Sequence, residues 1–437
     1  MAWDFETEPE FEDKLAWTRT FVREEVEPLD LLFKGRNYQV PTGRLKELVD
    51  GLKQQVRDQD LWACHLGPAL GGKGYGQLKL SLLNEILGQS SWAPIVFGTQ
   101  APDTGNAEII AHYGTDEQKA RYLQPLLDGE CFSSYSMTEP EGGSDPTQFK
   151  TRAAKDGDEW VMNGWKFFSS NARWAEFLIV MTVTDPDVSA YQGMSMFLVP
   201  TDTPGVDIVR NVATMGESRI GEGSHGLIHY DNVRLPADAL LGGEGQAFAI
   251  AQTRLGGGRI HHAMRTVGAC QKALDMMCER ALSRTTKGSL LAEKQSVQNY
   301  IADSYAELLQ FRLFVLYVAW EIDRYNDYKR VRKDIAAVKV MTPKVYHDIV
   351  QRAIQIHGAL GVTNEMPLGQ MWMGVPAMGL VDGATEVHRV TVARQLVKEY
   401  KPSDDLWPTE HLPKRIAAAK LKLADYAELF EHDVANI

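Results

Sequence analysis

The sequence predicts an α+β protein in which a helical N-terminal part, a β-rich middle part and a helical C-terminal part follow one another. Three observations predict this order: helical periodicity from Pro9 to about Gly129, short β-rich runs after Glu130, and helical periodicity again from Gly245. We expect an N-terminal helical domain at residues 1–131, a middle β-domain at 132–243, a C-terminal helical domain at 244–400 and a helical extension at 401–437.

The N-terminal part repeats apolar residues at helical spacing. One predicted face consists of Phe11, Leu15, Thr18 and Val22, and the next of Leu45, Leu48, Leu52 and Val56. Further helices are predicted at Leu78 to Leu87 and in TDEQKARYLQPLLDG, which ends at Gly129. The glycines at 71, 72, 74 and 76 are not followed by the G-K-[ST] of a phosphate loop, so we interpret them as a turn.

The middle part consists of β-rich runs separated by Gly, Pro, Asn and Asp turns. The runs are Trp160 to Met162, Phe177 to Val183, Met194 to Val199 and Leu227 to Leu235. Gly221, Gly223 and Gly226 spell G-x-G-x-x-G, but the chain continues as a strand where a dinucleotide fold needs a helix. We therefore reject a dinucleotide site there.

The C-terminal part begins with an apolar stripe at helical spacing, formed by Ile260, Met264, Val267, Cys270 or Leu274, and Met277. Helical segments follow at Val297 to Tyr325 and Asp334 to His357, where Pro343 is expected to kink or restart the helix. A last helix, Pro413 to Phe430, is expected to pack on the body of the protein or on a partner subunit.

Composition excludes several classes of function. A net charge of −12 and a pI near 5.5 argue against nucleic acid or an anionic membrane as partner, and no apolar run is long enough for a membrane span. The four scattered cysteines predict reduced thiols, and the acidic N-terminus lacks a signal or transit pattern, so we expect a cytoplasmic protein. His261 and His262 would point about 100° apart on a helix, which disfavours a metal site.

Two stretches carry possible chemistry. LVDGATEVHRVTVAR, from Leu380 to Arg394, places an acidic side chain on a glycine turn before a predicted helix, where it can meet a ligand. YSMTEPEGGSD, from Tyr135 to Asp145, joins hydroxyls to backbone amides beside two glycines, which suits a flavin with its diphosphate. Each stretch alone is equally compatible with an ordinary solvated turn.

YSMTEPEGGSD resembles the T-E-P-x-x-G-S-D signature of the acyl-CoA dehydrogenase family, and NGWKFFSSN, from Asn163 to Asn171, resembles its N-G-x-K-x-W-I-T-N strand. The resemblance implies an N-terminal helical domain, a middle β-domain and a C-terminal four-helix bundle. It also implies FAD as cofactor. The residues that it assigns to FAD in these two stretches are Tyr135, Met137, Thr138, Gly143, Ser144, Phe168, Ser169 and Ser170.

Two further motifs resemble family contacts to the FAD of a neighbouring subunit. They are RTTKGSLLAEKQ, with Arg284 and Gln295, and QIHGALGV, with Gln355. The resemblance therefore implies a homo-oligomer, either a dimer or a tetramer, with shared flavin sites. Within the family, APDTGN, RIHHAMRTVG and the D-G-x-x-E-V-H run resemble the branch of members ten and eleven.

Aligned on the family's Y-E-G-T-x-x-I-x-R, the opening stretch places Asp382 where most members have a catalytic Glu. The other known position for the base precedes Arg259 and is Gly258 here, so Asp382 is the predicted base, although it is one methylene shorter than Glu. The resemblance assigns Ala384, Thr385 and Glu386 to FAD, and Ser144, Arg259 and Gly383 to the acyl-CoA substrate.

The function that the resemblance implies is FAD-dependent dehydrogenation of an acyl-CoA thioester to the trans-2-enoyl-CoA in fatty acid β-oxidation. Asp382 would take the α-proton, flavin N5 the β-hydride, and an electron-transfer flavoprotein the electrons. Two alternatives stay open. One is a nitroalkane-oxidase-like flavin oxidase, which also uses Asp, and the other is a non-catalytic flavin-binding or acyl-CoA-binding homologue.

Overall fold

A computed structural model describes residues 6–35, 39–68, 72–215, 223–403 and 406–430. Gly71 and Gly221, which belong to two of the glycine motifs above, lie outside these ranges. The chain divides into two compact units, Met1–Val390 and Thr391–Ile437.

The N-terminal part is helical, as predicted. Its helices are α1 (Pro9–Phe21), α2 (Glu27–Leu32), α3 (Gly43–Asp58), α4 (Gly76–Leu87), α5 (Ala93–Val96), α6 (Asp103–Tyr113), α7 (Asp116–Gln118) and α8 (Gln124–Asp128). One π-helical turn, Val22–Val26, joins α1 to α2, and another, Lys119–Leu123, joins α7 to α8. A capping box formed by Thr115 and Gln118 starts α7, and left-handed Gly129 ends α8.

The predicted face of α1 is confirmed, whereas that of α3 is partly wrong. Leu48 is 46% exposed, and the buried residue at that level of the helix is Val49. Helical spacing from Leu45 to Leu52 allows either neighbour, because adjacent residues point only about 100° apart. Packing of α3 against α5 selects Val49.

The middle part is an eight-stranded sheet. Its strands are β1 (Phe132–Ser136), β2 (Arg152–Asp156), β3 (Glu159–Ser170), β4 (Ala175–Val183), β5 (Met194–Pro200), β6 (Val206–Val212), β7 (His225–Pro236) and β8 (Leu240–Leu241). The order is β6-β7-β3-β2-β4-β5-β8, with β1 parallel to β4. The sequence located β4, β5 and β7, and it covered β3 with the run Trp160 to Met162 and with the strand that the family resemblance implies at Asn163 to Asn171. It missed β1, β2 and β6. The serine-rich FSSYS of β1 and the RAAKD of β2 lack an apolar β pattern, and a bulge between Ile208 and Arg210 interrupts the alternation of β6.

The C-terminal part has three long helices, α9 (Ala247–Ser283), α10 (Gln295–Tyr325) and α11 (Tyr328–His357), followed by α12 (Leu368–Met378) and α13 (Thr385–Val397). A short hairpin of β9 (Thr285–Thr286) and β10 (Ser289–Leu290) links α9 to α10. The predicted stripe of α9 is buried throughout. Contrary to one predicted option, α11 does not restart at Pro343 but continues through it.

The helical parts at the two ends of the chain share one hydrophobic core. Helices α9, α10 and α11 pack against one another, and α4 lies against α9. The first turns of α9 also join α6 and the sheet in a second core. Helix α9 therefore contacts every part of the first compact unit, and residues 254–262 lie where these parts meet.

The last helix, α14 (Leu412–Lys422), is shorter than the predicted Pro413 to Phe430 segment. A non-helical residue, Tyr426, interrupts the 3-10 turn Ala424–Leu429 that follows. Among the described residues, no helix is both long and apolar enough to cross a membrane.

Candidate active site

The Asp-Gly turn predicted from the sequence lies between α12 and α13. Asp382 has a φ of +54° and Gly383 a φ of +108°, so two successive residues have positive φ. Glycine adopts the second conformation without strain, whereas a residue with a side chain would not. Arg259 donates from Nε to the Asp382 carbonyl over 2.9 Å. His388, in the first turns of α13, is buried against Gly383, with Nε2 3.0 Å from the position that a Cβ there would occupy. Contacts from two helices thus hold the turn.

The Asp382 carboxylate is enclosed by polar groups without being hydrogen-bonded. Arg254 Nη1 lies 3.9 Å from Oδ1 and His262 Nε2 lies 3.4 Å from Oδ2. On the third side Gly258 leaves room, since a Cβ there would come within 2.7 Å of Oδ2. Among the residues that the structure describes, none donates a hydrogen bond to this carboxylate.

Positive charge dominates this site. Burial alone would raise the pKa of Asp382, but the charge that His262 carries when it is protonated and the charges of Arg254, Arg259 and Lys339 hold it below its usual value. Lys339 donates to the carbonyl of Met378, and burial lowers its pKa to about 8. The carboxylate is therefore ionised at neutral pH.

Arg254 connects the carboxylate to the sheet and to α6. Its Nε donates to Asn106 Oδ1 over 2.9 Å, and its guanidinium lies 3.9 Å from the centre of the Tyr135 ring. Because Arg254 is fixed on two sides, it supplies a charge of fixed position near Asp382.

The contacting strands β1 and β3 carry three aromatic residues with features that suit a flavin, and we call Tyr135, Trp165 and Phe168 the aromatic wall. The hydroxyl of Tyr135 is buried and has no hydrogen-bond partner within the described chain, so a ligand atom is its natural partner. Phe168 has a φ of +54° and its ring is 52% exposed. Trp165 is 42% exposed and stacks on His229 at 4.2 Å. An unpaired donor and exposed aromatic rings suit the flat, oxygen-rich ring system of FAD.

The loop after β1 is held from below by a buried ion pair. Lys166 Nζ lies 2.9 Å from Glu139 Oε1 and donates to the Met137 carbonyl over 2.7 Å. The Phe167 amide donates to the Thr138 carbonyl over 2.8 Å. Met137 and Thr138 are half-buried, whereas Gly143 and Ser144 are exposed at the tip of the loop.

The two serines assigned to FAD differ in direction. Ser169 is buried and its hydroxyl lies 2.9 Å from that of Ser136, so only its backbone faces the aromatic wall. Ser170 Oγ lies 2.8 Å from His225 Nδ1. A hydroxyl paired with an imidazole can still donate to a ligand, since either group can supply the proton.

The other residues predicted to contact FAD lie away from the interior. Arg284 follows α9 directly, Gln295 is the first residue of α10 and Gln355 is near the end of α11, and all three side chains are exposed. Exposure agrees with a role toward a neighbouring subunit, which stays a prediction. Ala384 and Thr385 are half-buried, and Glu386 is exposed in the first turn of α13.

The sequence did not single out Arg254, His262 and Lys339 as site residues, and it also missed Glu108. The Glu108 carboxyl is buried against Gly257, where a Cβ would lie 3.2 Å from Oε2, and burial raises the pKa of Glu108 to about 7. Arg254 and Lys339 occupy apolar faces of predicted helices. A single cation on an apolar helix face could have indicated a site residue, because a buried charge needs a partner of opposite charge.

Helices on both sides of a β-domain, an aromatic wall and a buried ionised carboxylate define a flavin-dependent oxidoreductase. Three family models match the chain in order: the N-terminal, middle and C-terminal domains of acyl-CoA dehydrogenase, at residues 8–130, 134–233 and 245–397. The chain belongs to the acyl-CoA dehydrogenase family and is an FAD-dependent oxidoreductase of that family.

Individual relatives agree. The chain is 44% identical to "Probable acyl-CoA dehydrogenase FadE2" of Mycobacterium tuberculosis, over 79% of this chain and 85% of that protein. It is 38% identical to acyl-CoA dehydrogenase family member 11 of Rattus norvegicus over 80% of this chain, but spans only 45% of that longer protein. A solved structure from Geobacillus kaustophilus, an acyl-CoA dehydrogenase, is 25% identical with a TM-score of 0.78, over 90% of this chain and 100% of that one.

Proposed function

We propose that this protein oxidises an acyl-CoA thioester to the trans-2-enoyl-CoA, with Asp382 as the base that takes the α-proton. The observation that carries the proposal is the state of the carboxylate, which is enclosed, ionised and not hydrogen-bonded. A base needs a free lone pair, and each hydrogen bond from an N–H donor occupies one of a carboxylate's lone pairs and lowers its basicity.

The surrounding residues have distinct roles in this proposal. Arg259 donates a hydrogen bond to the Asp382 carbonyl, so we propose that it stabilises the turn. The family resemblance had instead implied that Arg259 binds the acyl-CoA. Arg254 and Lys339 stabilise the ionised carboxylate and favour negative charge that develops nearby. Gly383 and Ser144 remain proposed acyl-CoA contacts, through the Gly383 backbone and the Ser144 hydroxyl.

FAD, when bound, supplies the acceptor for the β-hydride. Tyr135 and Phe168 would hold its ring system, and the loop from Met137 to Ser144 would follow its polar part. The chain's own work is to exclude water, orient the α-carbon toward Asp382 and hold the abstracted proton on that carboxyl.

Anaerobic mixing with acyl-CoAs of several chain lengths tests the proposal, with flavin absorbance as the signal. We expect wild type to bleach and Asp382→Asn to bleach about 10²–10⁴-fold more slowly, at unchanged FAD content. Asp158→Asn, an exposed position of the β2–β3 turn, is the matched control and should behave as wild type. Bleaching of Asp382→Asn at the wild-type rate would show that another residue is the base.

The electron acceptor requires a second measurement. We propose an electron-transfer flavoprotein, so the reduced enzyme should pass electrons to such a protein much faster than to oxygen. Rapid oxygen consumption with nitroalkanes, and no bleaching with any CoA thioester, would instead identify the nitroalkane-oxidase-like alternative, which an Asp base equally suits. Acyl-CoA binding without bleaching would identify a non-catalytic homologue.

We also propose that each FAD is completed by a second chain through Arg284, Gln295 and Gln355. Arg284→Ala should then weaken FAD retention, whereas Arg280→Ala, one turn earlier, should not. A second test mixes unfolded chains that carry Arg284→Ala with unfolded chains that carry Asp382→Asn and refolds them together. Activity should return, because some sites then combine Asp382 of one chain with Arg284 of the other. A monomer that retains FAD fully would contradict this arrangement.

A further inference from the structure

The adjacent histidines of α9 point to different parts of the molecule. His261 Nε2 lies 3.0 Å from Gln77 Oε1, in the interface with α4. His262 instead faces Asp382, with Nε2 3.4 Å from Oδ2. The His262 side chain is 19% exposed and the Asp382 side chain 15%. The contact with α4 accounts for His261, whereas the contact given for the His262 ring within the described part of the chain is the one to Asp382.

His262 differs from the other groups around Asp382 because it is neutral. Burial lowers its pKa to about 3, and Arg265, Lys339 and Arg254 act in the same direction against the opposing effect of Asp382. A neutral imidazole can donate from one nitrogen or accept at it, depending on the tautomer. Arg254, Arg259 and a protonated Lys339 can only donate.

We propose, on the basis that Asp382 is the base of the proposed function, that His262 is a positioning residue that fixes the orientation of the Asp382 carboxylate. Arg254 lies next to Oδ1 and His262 lies next to Oδ2, and the two residues are about two turns apart on α9. Together they restrict rotation of the carboxylate. The Nε2–Oδ2 distance of 3.4 Å is at the long end for a hydrogen bond, and contacts of this kind commonly tighten when a substrate binds.

A fixed orientation of the carboxylate compensates for the short side chain of Asp382, which is one methylene shorter than Glu. The position of the carboxylate depends on two further residues, because Arg259 fixes the Asp382 carbonyl and the missing side chain of Gly258 leaves Oδ2 the space that it occupies. After the α-carbon C–H bond breaks and an O–H bond forms on Asp382 Oδ1, the Nε2–H of His262 still donates to Oδ2, which keeps its lone pairs. The proton thus stays on Asp382 until the product leaves, while FAD takes the hydride.

Two substitutions separate positioning from packing. His262→Leu removes both nitrogens, whereas His262→Gln retains an amide N–H that reaches the place of Nε2. We expect His262→Leu to lower the rate of flavin reduction by about 10–100-fold with little change in KM, since a misplacement near 1 Å has an effect of that order. His262→Gln should recover most of the loss, and His112→Gln, an exposed histidine of α6, should leave the rate unchanged.

The decisive comparison uses Asp382→Asn as background. Because His262 acts through Asp382, His262→Leu should slow this variant less than about threefold further. Equal losses in both backgrounds, or the same loss for Leu and Gln, would show that His262 contributes packing only. An unchanged rate for His262→Leu in an enzyme that bleaches with acyl-CoA would overturn the inference and leave the proposed function intact.

A spectroscopic readout does not depend on substrate turnover. In the holoenzyme with ¹⁵N-labelled histidine, we expect the His262 signals, assigned by their loss in His262→Gln, to show a neutral imidazole with the proton on Nε2. Asp382→Asn should shift this tautomer balance. If none of the acyl-CoAs bleaches the flavin of wild type but the tautomer of His262 still depends on Asp382, the proposed function fails and the pairing of His262 with Asp382 stands. A His262 signal that is insensitive to Asp382→Asn contradicts the pairing itself.

Discussion

Two buried carboxylates in this molecule have opposite surroundings. Glu139, in the loop below the aromatic wall, accepts from Lys166 Nζ at 2.9 Å and from the amides of Lys150 at 2.6 Å and Thr151 at 3.0 Å. Asp382, between α12 and α13, has the Arg254 guanidinium at 3.9 Å and the neutral His262 at 3.4 Å, and it receives no hydrogen bond from the described residues. The difference separates a structural carboxylate, which accepts three hydrogen bonds, from one that is free to take a proton.

Removing the charge of Glu139 should have the largest effect on stability. Glu139→Gln leaves Lys166 buried without a counter-charge, which should lower the free energy of unfolding by about 3–5 kcal/mol. Urea denaturation followed by circular dichroism measures the loss. Glu141→Gln, an exposed carboxylate 3.8 Å from Lys150, is the control and should change the midpoint little. Equal stability of the two variants would contradict the structural role of Glu139.

Displacing Asp382 without altering its charge tests the other half of the comparison. Gly258→Ala introduces a methyl 2.7 Å from Oδ2, so the carboxylate must move, and we expect flavin reduction by acyl-CoA to slow about 100-fold. Gly51→Ala, which meets no neighbour in α3, should leave the rate unchanged. A Gly258→Ala enzyme that reduces flavin at the wild-type rate would show that the position of Asp382 is not critical.

Glu108 provides an intermediate case, a buried carboxyl that receives no hydrogen bond from the described residues. Burial raises the pKa of Glu108 to about 7 in the folded chain, from its ordinary value of 4.5, so the folded state binds more protons than the unfolded state between these pH values. The stability of wild type should therefore decrease as pH rises through this window, and the loss is complete above pH 7. Glu108→Gln cannot ionise, so its stability relative to wild type should increase by about 2–3 kcal/mol between pH 5 and pH 8, at roughly 1.4 kcal/mol per pKa unit.

Differential scanning fluorimetry at the two pH values measures the effect of Glu108→Gln. Glu279→Gln, on the exposed face of α9, is the control for a change of charge alone. A stability difference that is the same at pH 5 and pH 8 would exclude titration of Glu108 as its cause.

The smallest expected effect concerns Tyr135, whose buried hydroxyl has no hydrogen-bond partner among the described residues. Tyr135→Phe should weaken FAD binding by about 3–10-fold, the equivalent of roughly 1 kcal/mol for one hydrogen bond, and leave the FAD-free chain as stable as before or slightly more so. Titration calorimetry with FAD measures the first and thermal unfolding of the FAD-free chain the second. Unchanged FAD affinity would remove Tyr135 from the cofactor site.

The sequence alone determined the order of the domains, the loop from Tyr135 to Asp145 and the turn that carries Asp382. These features are local, because periodicity, an Asp-Gly pair and a motif all involve residues within a few positions of one another. The sequence also indicated Asp382 as the base through resemblance to a family. It could not choose between Leu48 and Val49 on α3, since both fit the same helical spacing.

Only the tertiary structure decided what surrounds Asp382. Arg254, Arg259 and His262 are more than a hundred positions away on α9, and Lys339 comes from α11. Which helix faces meet depends on the packing of α9 against α6, α11 and the sheet, and no local pattern records that packing. The charge around a buried carboxylate is therefore a property of the assembled core, whereas the carboxylate's place in the chain is a property of the sequence.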